Sequence, residues 1–154
     1  MALNTQFSDT LVDAMAVAFA TKFDGAKIAI ITGTKTGSTT TGTNSFNGVV
    51  LVRFTMGSPA FGSPTSGVLV ANAIATATAG AFTGTPTFAR FFDSTLAGNA
   101  TDASLLGSGL YSSVLMECTA GTSNANLIIS PITAGTNVSI GSFTHEVTNA
   151  FSGQ

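Results

Sequence analysis

Apolar residues recur at helical spacing in one segment near the start of the chain, residues 8–23. Ser8 can accept a hydrogen bond from a backbone N–H in the first turn of a helix, and Asp9 places a negative charge in that turn. The pair Asp24-Gly25 supplies a glycine suited to the left-handed cap after the last turn. We therefore predict an amphipathic helix, with an apolar stripe made of Leu11, Val12, Met15, Ala16, Phe19 and Phe23.

After Gly25 the pattern changes to the alternation typical of strands, and stretches rich in Gly, Ser and Thr separate the alternating segments. Short strands joined by such turns predict a mainly β fold, a β-sandwich or jelly roll with one N-terminal amphipathic helix. We expect residues 1–25 to form an N-terminal arm and helix, and residues 26–154 to form a single β-sandwich domain. The seven predicted strands are residues 27–32, 46–56, 68–76, 86–93, 110–118, 125–130 and 136–147.

Two of these strands and one loop carry more specific predictions. Residues 33–44 contain only Gly, Thr, Ser, Lys and one Asn, which predicts a flexible loop. The apolar parity of the last strand changes after Ile140, so we predict a β-bulge at Gly141. Both faces of the long second strand are largely apolar and are expected to be covered. They carry Val50, Val52, Phe54 and Met56 on one side, and Val49, Leu51 and Arg53 on the other.

The composition of the chain indicates that it associates with other subunits. Thr, Ala, Gly and Ser make up about half of the 154 residues, and 8% of the chain is charged, with a formal net charge of −2. A folded monomer of this size exposes roughly 7,200 Å². The 13 ionisable side chains, five Lys or Arg, seven Asp or Glu and one His, would then share that surface at about one per 550 Å². Large uncharged patches commonly mark association sites, so an oligomer is expected. A monomer kept soluble by its hydroxyl groups is the alternative.

Several classes of protein do not fit the sequence. The five basic residues are scattered and form no patch for nucleic acid. No run of 18 apolar residues is present, so no membrane span is predicted, and the N-terminus lacks the features of a signal peptide. The single cysteine, Cys118, excludes an intrachain disulfide.

No motif in the sequence indicates catalysis. His145 is the one histidine, beside Glu146, and Cys118 follows Glu117; neither pair forms a catalytic or zinc-binding set by itself. The segment Gly33–Thr39 lacks the Gly-Lys-Ser/Thr order of a phosphate-binding loop. We therefore predict a protein that is not an enzyme, with no catalytic residues, no cofactor and no metal.

One segment predicts a hydrogen-bonding partner for a buried charge, because Arg90 lies among three phenylalanines at positions 88, 91 and 92. A buried arginine needs an acceptor, either a carboxylate of the same chain or a neighbouring subunit. An arginine that extends its charged end to the solvent is the other interpretation. The candidate interface residues are Phe19, Phe23, Arg53, Arg90 and Asp93.

The order of these segments resembles that of small decoration or cement proteins on the capsids of tailed phages. The resemblance covers most of the chain and is carried by patterns of helix, strand and loop. These are the N-terminal helix followed by residues 27–36, the segment Ser58–Gly62, the segment Thr87–Ser94 and the tail Ile132–Thr144.

The resemblance implies a homotrimeric β-sandwich on the outer surface of the virion, where it binds neighbouring copies of the major capsid protein. The residues themselves predict no nucleic-acid or membrane partner, and the resemblance transfers no functional residues. Two other functions stay open. One is a trimeric tail-fibre or adhesin module that recognises the host. The other is a small glycan hydrolase, for which the acidic candidates are Asp93, Asp102 and Glu117.

Overall fold

A computed structural model describes residues 7–36, 45–96, 100–107 and 111–147. The fold is mainly β and β-sandwich-like, with one long N-terminal helix, which confirms the fold class predicted from the sequence. The helices are α1 (Asp9–Lys22) and α2 (Asp102–Leu106), and a 3₁₀ turn spans Tyr111–Ser113. The strands are β1 (Lys27–Thr36), β2 (Ser45–Thr55), β3 (Val68–Val70), β4 (Ala77–Thr78), β5 (Phe88–Phe92), β6 (Val114–Gly121), β7 (Leu127–Ile128), β8 (Asn137–Val138) and β9 (Ser142–Glu146).

Helix α1 begins as predicted but buries a different face. The Ser8 hydroxyl accepts a hydrogen bond from the N–H of Leu11, which confirms the predicted cap. Leu11 and Met15 are 46% and 42% exposed, so the stripe predicted to include them was wrong at its N-terminal end. Residues four apart advance by about 40° around a helix, so a row of them leaves the core within three turns. The row that faces the core is Val12, Ala16, Phe19 and Phe23, of which Phe19 is only partly buried. Its spacing of four, three and four stays on one face.

Seven strands form one mixed sheet in the order β2-β1-β5-β6-β7-β9-β3, and β4 pairs with β8 in a separate two-stranded sheet. All neighbours in the large sheet are antiparallel except β6 and β7, which are parallel. Strand β5 buries four of its five residues and β1 buries residues 28–31, because both faces of the sheet are covered there.

Each face of the large sheet has its own hydrophobic cluster. The larger cluster lies under α1 and includes Phe23, Ile28, Ile30, Phe54, Phe91 and Phe143. The smaller cluster lies under α2 and consists of Ala29, Ile31, Phe46, Val50, Phe92 and Leu105, with partly buried neighbours. The prediction that both faces of β2 are covered is therefore confirmed.

The predicted alternation along β2 was wrong, because the register between β1 and β2 shifts between Ile30 and Ile31. Ile30 is opposite Val52 and Ile31 is opposite Val50, which leaves Leu51 as the extra residue. This bulge reverses the parity of β2, so Val50 belongs to one cluster, and Leu51 and Val52 belong to the other.

Other boundaries differ from the prediction. The single strand predicted at residues 136–147 is two strands, β8 and β9, in different sheets, and the N–H of Gly141 between them donates to the Ile128 carbonyl at 2.8 Å. Residues 33–36, predicted as loop, extend β1, and residues 37–44 lie outside the described part of the chain, as do residues 1–6 of the predicted arm. The sequence did not indicate α2 or β4, which are short.

Gly67 is required where the loop before β3 meets α1. It has a φ of +79°, and a Cβ atom there would lie 2.4 Å from the Val147 carbonyl oxygen and 2.5 Å from Val12 Cγ1. Gly135 has a similar φ of +74°, but a Cβ atom there would have no atom within 4 Å.

We predict that Gly67→Ala lowers the free energy of unfolding by at least about 2 kcal/mol more than Gly135→Ala. Both variants carry the cost of a left-handed alanine, about 1–2 kcal/mol, and only Gly67→Ala adds an overlap with the backbone. Denaturant unfolding of the two variants measures the difference. Equal midpoints would show that Gly67 is not packed closely against Val12 and the Val147 carbonyl.

Candidate functional site

The most unusual site in the structure is a buried ion pair between two adjacent strands. Arg90 of β5 is directly opposite Glu117 of β6 in the antiparallel ladder. The Arg90 Nε lies 3.0 Å from Glu117 Oε1, and the two side chains are 0% and 3% exposed. The sequence required an acceptor for Arg90, and the structure supplies one within the chain. The pair is 27 positions apart, so the sequence could not identify it.

Arg90 also binds the segment that covers its face of the sheet. Its Nη1 donates to the carbonyl oxygens of Leu105 at 2.9 Å and Gly107 at 2.7 Å, at the C-terminal end of α2. Its guanidinium carbon lies 5.4 Å from the ring centre of Phe46 and 5.6 Å from that of Phe92, within the range of cation–π attraction. Arg90 thus joins β5, β6 and α2 through one side chain.

Lys35 is a second cation bound to Glu117, and it lies at the partly exposed edge of this ion pair. Lys35 Nζ, at the end of β1, lies 3.2 Å from Glu117 Oε2, so each carboxylate oxygen has its own cation. Burial lowers the pKa of Arg90, and the charge of Glu117 together with its hydrogen bond opposes this shift. Arginine stays protonated in proteins, so the cluster is a fixed ionic contact. Because Arg90 and Glu117 are closed to solvent, it is suited to cross-linking strands and not to acid–base chemistry.

Two candidate interface residues, Phe19 in α1 and Phe23 at its C-terminal cap, lie in an aromatic stack. Phe23 is buried, whereas Phe19 is partly exposed and has its ring centre 4.6 Å from that of Phe23. The Phe19 ring is also stacked on His145 of β9, with ring centres 4.2 Å apart and an angle of 8° between the planes. Phe23 and Arg90 face the interior, so a partner could reach them only through the residues that cover them.

Arg53 and Asp93 keep exposed or partly exposed surface but have local partners. Arg53 forms an exposed ion pair with Asp102 and donates to the Ala100 carbonyl at 2.6 Å. The Asp93 carboxylate accepts hydrogen bonds from the backbone N–H and the hydroxyl of Thr95. The contacts of Asp93 and Asp102 are therefore separate.

Cys118 and His145 line opposite walls of a cleft of about 220 Å³ between β6 and β9. Burial raises the pKa of the Cys118 thiol to about 12, so the thiol is protonated at neutral pH. Burial also lowers the pKa of His145, which favours neutral imidazole. Neither group carries the charge that a thiolate–imidazolium nucleophile needs.

Across the described ranges, no group of three or more His, Cys, Asp or Glu side chains could hold a metal ion. In the same part of the chain, no helix combines the length and the hydropathy that crossing a membrane requires.

No protein-family model, curated protein or solved structure matches this chain. The resemblance to phage decoration proteins therefore stays a prediction from the sequence, and the function has to be argued from the residues themselves.

We predict that Glu117→Gln lowers the free energy of unfolding by about 3 kcal/mol, because it leaves Arg90 buried without a full counter-charge. The control, Asp102→Asn, breaks an exposed pair and should cost less than about 1 kcal/mol. The double variant Arg90→Met/Glu117→Leu should recover much of the loss, because it removes both buried charges. Denaturant unfolding measures all three, and a Glu117→Gln cost no larger than that of Asp102→Asn would contradict a buried ionic contact.

His145 should make stability depend on pH. Its pKa is lower in the folded chain than in the unfolded chain, so the unfolded state binds more protons below about pH 6.5. Stability is therefore full above this pH and decreases as the pH falls, until the folded imidazole is protonated too. We predict that His145→Phe, which can keep a ring stacked on Phe19, removes this decrease. Unfolding midpoints measured between pH 7.5 and pH 5 test it, and an unchanged pH slope in the variant would contradict it.

Proposed function

We propose that this protein is a capsid decoration, or cement, protein of a tailed phage. As proposed, it is a homotrimer on the outer surface of the head that bridges neighbouring subunits of the major capsid protein. It acts by binding, not by catalysis, and needs no cofactor.

The observation that supports this proposal best is that most of the few charged side chains are bound to other groups of the same chain. All 13 ionisable side chains lie in the described residues. Three of the five cations are in ion pairs within the chain, those of Lys35, Arg53 and Arg90. Three more carboxylates accept hydrogen bonds from nearby groups of the chain, including backbone N–H groups: Asp13, Asp24 and Asp93. Few charges remain to hold a water layer over the rest of the surface.

Apolar side chains occupy part of that surface instead. Among the described residues, six large hydrophobic side chains are at least 38% exposed, on α1, on β3 and in the loop between β4 and β5: Leu11, Met15, Val17, Val68, Val70 and Phe82. A surface with hydroxyl groups, small side chains and scattered apolar groups suits close contact with neighbouring subunits, because little charge has to be desolvated there.

Binding of this kind stabilises a shell by mass action. A subunit that binds the mature lattice and not its disassembled or strained forms shifts the equilibrium toward that lattice, by an amount that grows with its concentration relative to its dissociation constant. Many weak contacts per particle then add up without any catalytic group.

We expect the purified protein to have three times the 15.4 kDa chain mass in multi-angle light scattering. In particles produced by the genome that carries this sequence, quantitative mass spectrometry should find it at a stoichiometry comparable to that of the major capsid protein. A few copies per particle would favour the tail-fibre or adhesin alternative. A monodisperse monomer that is absent from the particles would overturn the proposal.

A further inference from the structure

Three side chains with soft donor atoms line the cleft of about 220 Å³ between β6 and β9. Met116 and Cys118 belong to the wall formed by β6, and His145 belongs to the wall formed by β9. Thioether, thiolate and imidazole groups are all ligands of copper in proteins. Within the described ranges, these three side chains have no hydrogen bond or ion pair, so their donor atoms are not engaged elsewhere.

The pairing of the strands puts two of these groups at the same level of the sheet. Ala120 of β6 pairs with Leu127 of β7, and Leu127 pairs with Phe143 of β9. Strand β7 is parallel to β6 and antiparallel to β9, so two residues back along β6 and two residues forward along β9 lead in the same direction. The residues reached in this way are Cys118 and His145, which therefore lie at one level on opposite walls of the cleft.

All three side chains lie on the side of the sheet that α1 covers. Met116 and Cys118 are two residues apart on β6, which puts them on the same face, and both pack against the larger hydrophobic cluster. His145 is on that side too, because its ring is stacked on Phe19 of α1. The two sulfur atoms and the imidazole ring therefore border the same space.

The donor set does not suit zinc. Zinc sites in proteins use Cys, His, Asp and Glu side chains, usually three or four of them. The cleft offers one Cys and one His besides Glu117, whose two carboxylate oxygens are bound to Arg90 and Lys35. A thioether as the third donor favours a softer ion, such as Cu(I).

The charge of the cleft favours a monovalent ion. With Glu117 engaged, Cys118 is the lining residue that can supply a negative charge, as a thiolate. A divalent ion would leave one positive charge unbalanced in a half-buried site, which is unfavourable. A monovalent ion and one thiolate are neutral together, which fits a protein with so few charges.

We propose that this cleft binds one soft monovalent metal ion, Cu(I) or Ag(I), through the sulfur atoms of Met116 and Cys118 and a ring nitrogen of His145. Binding exchanges the ion for a proton. The S–H bond of Cys118 breaks, a bond between sulfur and the metal forms, and the proton passes to the solvent, with no change of oxidation state. The proposal goes beyond the proposed function and does not depend on it.

The protonation states of the empty cleft agree with this exchange. Burial lowers the pKa of His145 and so favours the neutral imidazole, which has a lone pair for a metal. Burial raises the pKa of the Cys118 thiol to about 12, so the thiol keeps its proton at neutral pH until a metal displaces it. Each bound ion should therefore release one proton at pH 7.

The methionine methyl signals test the proposal in the unmodified chain. The chain has four methionines, and two of them are internal controls: Met15 is exposed on α1 and Met56 is buried in the larger cluster. In a chloride-free NMR titration with silver nitrate, the Met116 methyl and the His145 ring signals should shift and saturate at one ion per chain. The Met15 and Met56 signals should stay in place.

Two results of this titration would overturn the proposal. One is Ag(I) that binds the thiol without shifting the Met116 and His145 signals, because the cysteine would then bind the ion alone. The other is the absence of saturable binding. Zn(II) serves as the control ion, and we expect it to bind at least about tenfold more weakly than Ag(I). Equal affinities for the two ions would contradict a thioether ligand.

A matched pair of variants tests the thioether directly. Met116→Leu and Met15→Leu each replace a methionine by an apolar side chain of similar volume, a change that cores tolerate well. We expect Met116→Leu to raise the dissociation constant for Ag(I) by at least about tenfold, because even groups that only hydrogen-bond to a metal ligand contribute that much. Met15→Leu should leave it unchanged.

Equal dissociation constants for the two variants would show that Met116 is not a ligand. If Met116→Leu does not fold, the methyl signals of the native chain decide. None of these outcomes bears on capsid decoration, which the oligomer mass and the copy number per particle test separately.

Discussion

The contact between Arg90 and Glu117 imposes the strictest constraint on this fold. Removing a guanidinium from water is costly unless it is paired and hydrogen-bonded, so every group around Arg90 must be in place when the chain is folded. Glu117 supplies the opposite charge from β6, Lys35 balances the second carboxylate oxygen, and the carbonyls of Leu105 and Gly107 accept from the guanidinium. Together with Arg90 of β5, these partners come from four separate parts of the chain. The register of β5 against β6 and the position of α2 are therefore fixed together.

The ion pair matters for the surface of the protein as well, because the rest of the chain carries few charges. In a chain with few ionic groups, placing two of five cations on one buried carboxylate leaves the outer surface still poorer in charge. Hydroxyl groups take over part of the role of charges in this protein. The Thr87 hydroxyl, one residue before β5, shares its proton between the carbonyls of Ile31 and Gly33, and Thr119 forms hydrogen bonds with Asn126 in the loop before β7. Such short side chains hold strands close together, but they keep less water at the surface than charged groups do.

The sequence predicted those features that depend on neighbours along the chain. The helix cap at Ser8 and most of the strands follow from local spacing and turn residues. Features that depend on the partner strand could not be predicted. The bulge at Leu51 reverses the faces of β2 because of its pairing with β1, and an alternating pattern carries no sign of it. The bulge predicted at Gly141 was wrong, because the chain breaks there between β8 and β9, and a change of face looks the same whether a strand bends or joins another sheet.

The candidate site shows the same limit more sharply. The pattern around Arg90 required an acceptor, since three phenylalanines surround it, but many carboxylates satisfied that requirement equally. The helical row from Leu11 to Phe23 also had the correct composition, and only the rotation of about 40° per four residues excluded its N-terminal half from the core. The cleft between β6 and β9 has no sequence signal, because its walls come from segments that are distant in the sequence.

The ion pair and the cleft between β6 and β9 are related through β6. A strand that lacks a neighbour along part of one side is normally free to twist or fray. Here Glu117 of β6 is bound to Arg90 of β5, so β6 is held in register from its paired side. On the opposite wall of the cleft, Phe19 of α1 is stacked on His145 of β9. Both walls of the cleft are thus fixed by contacts that lie outside it.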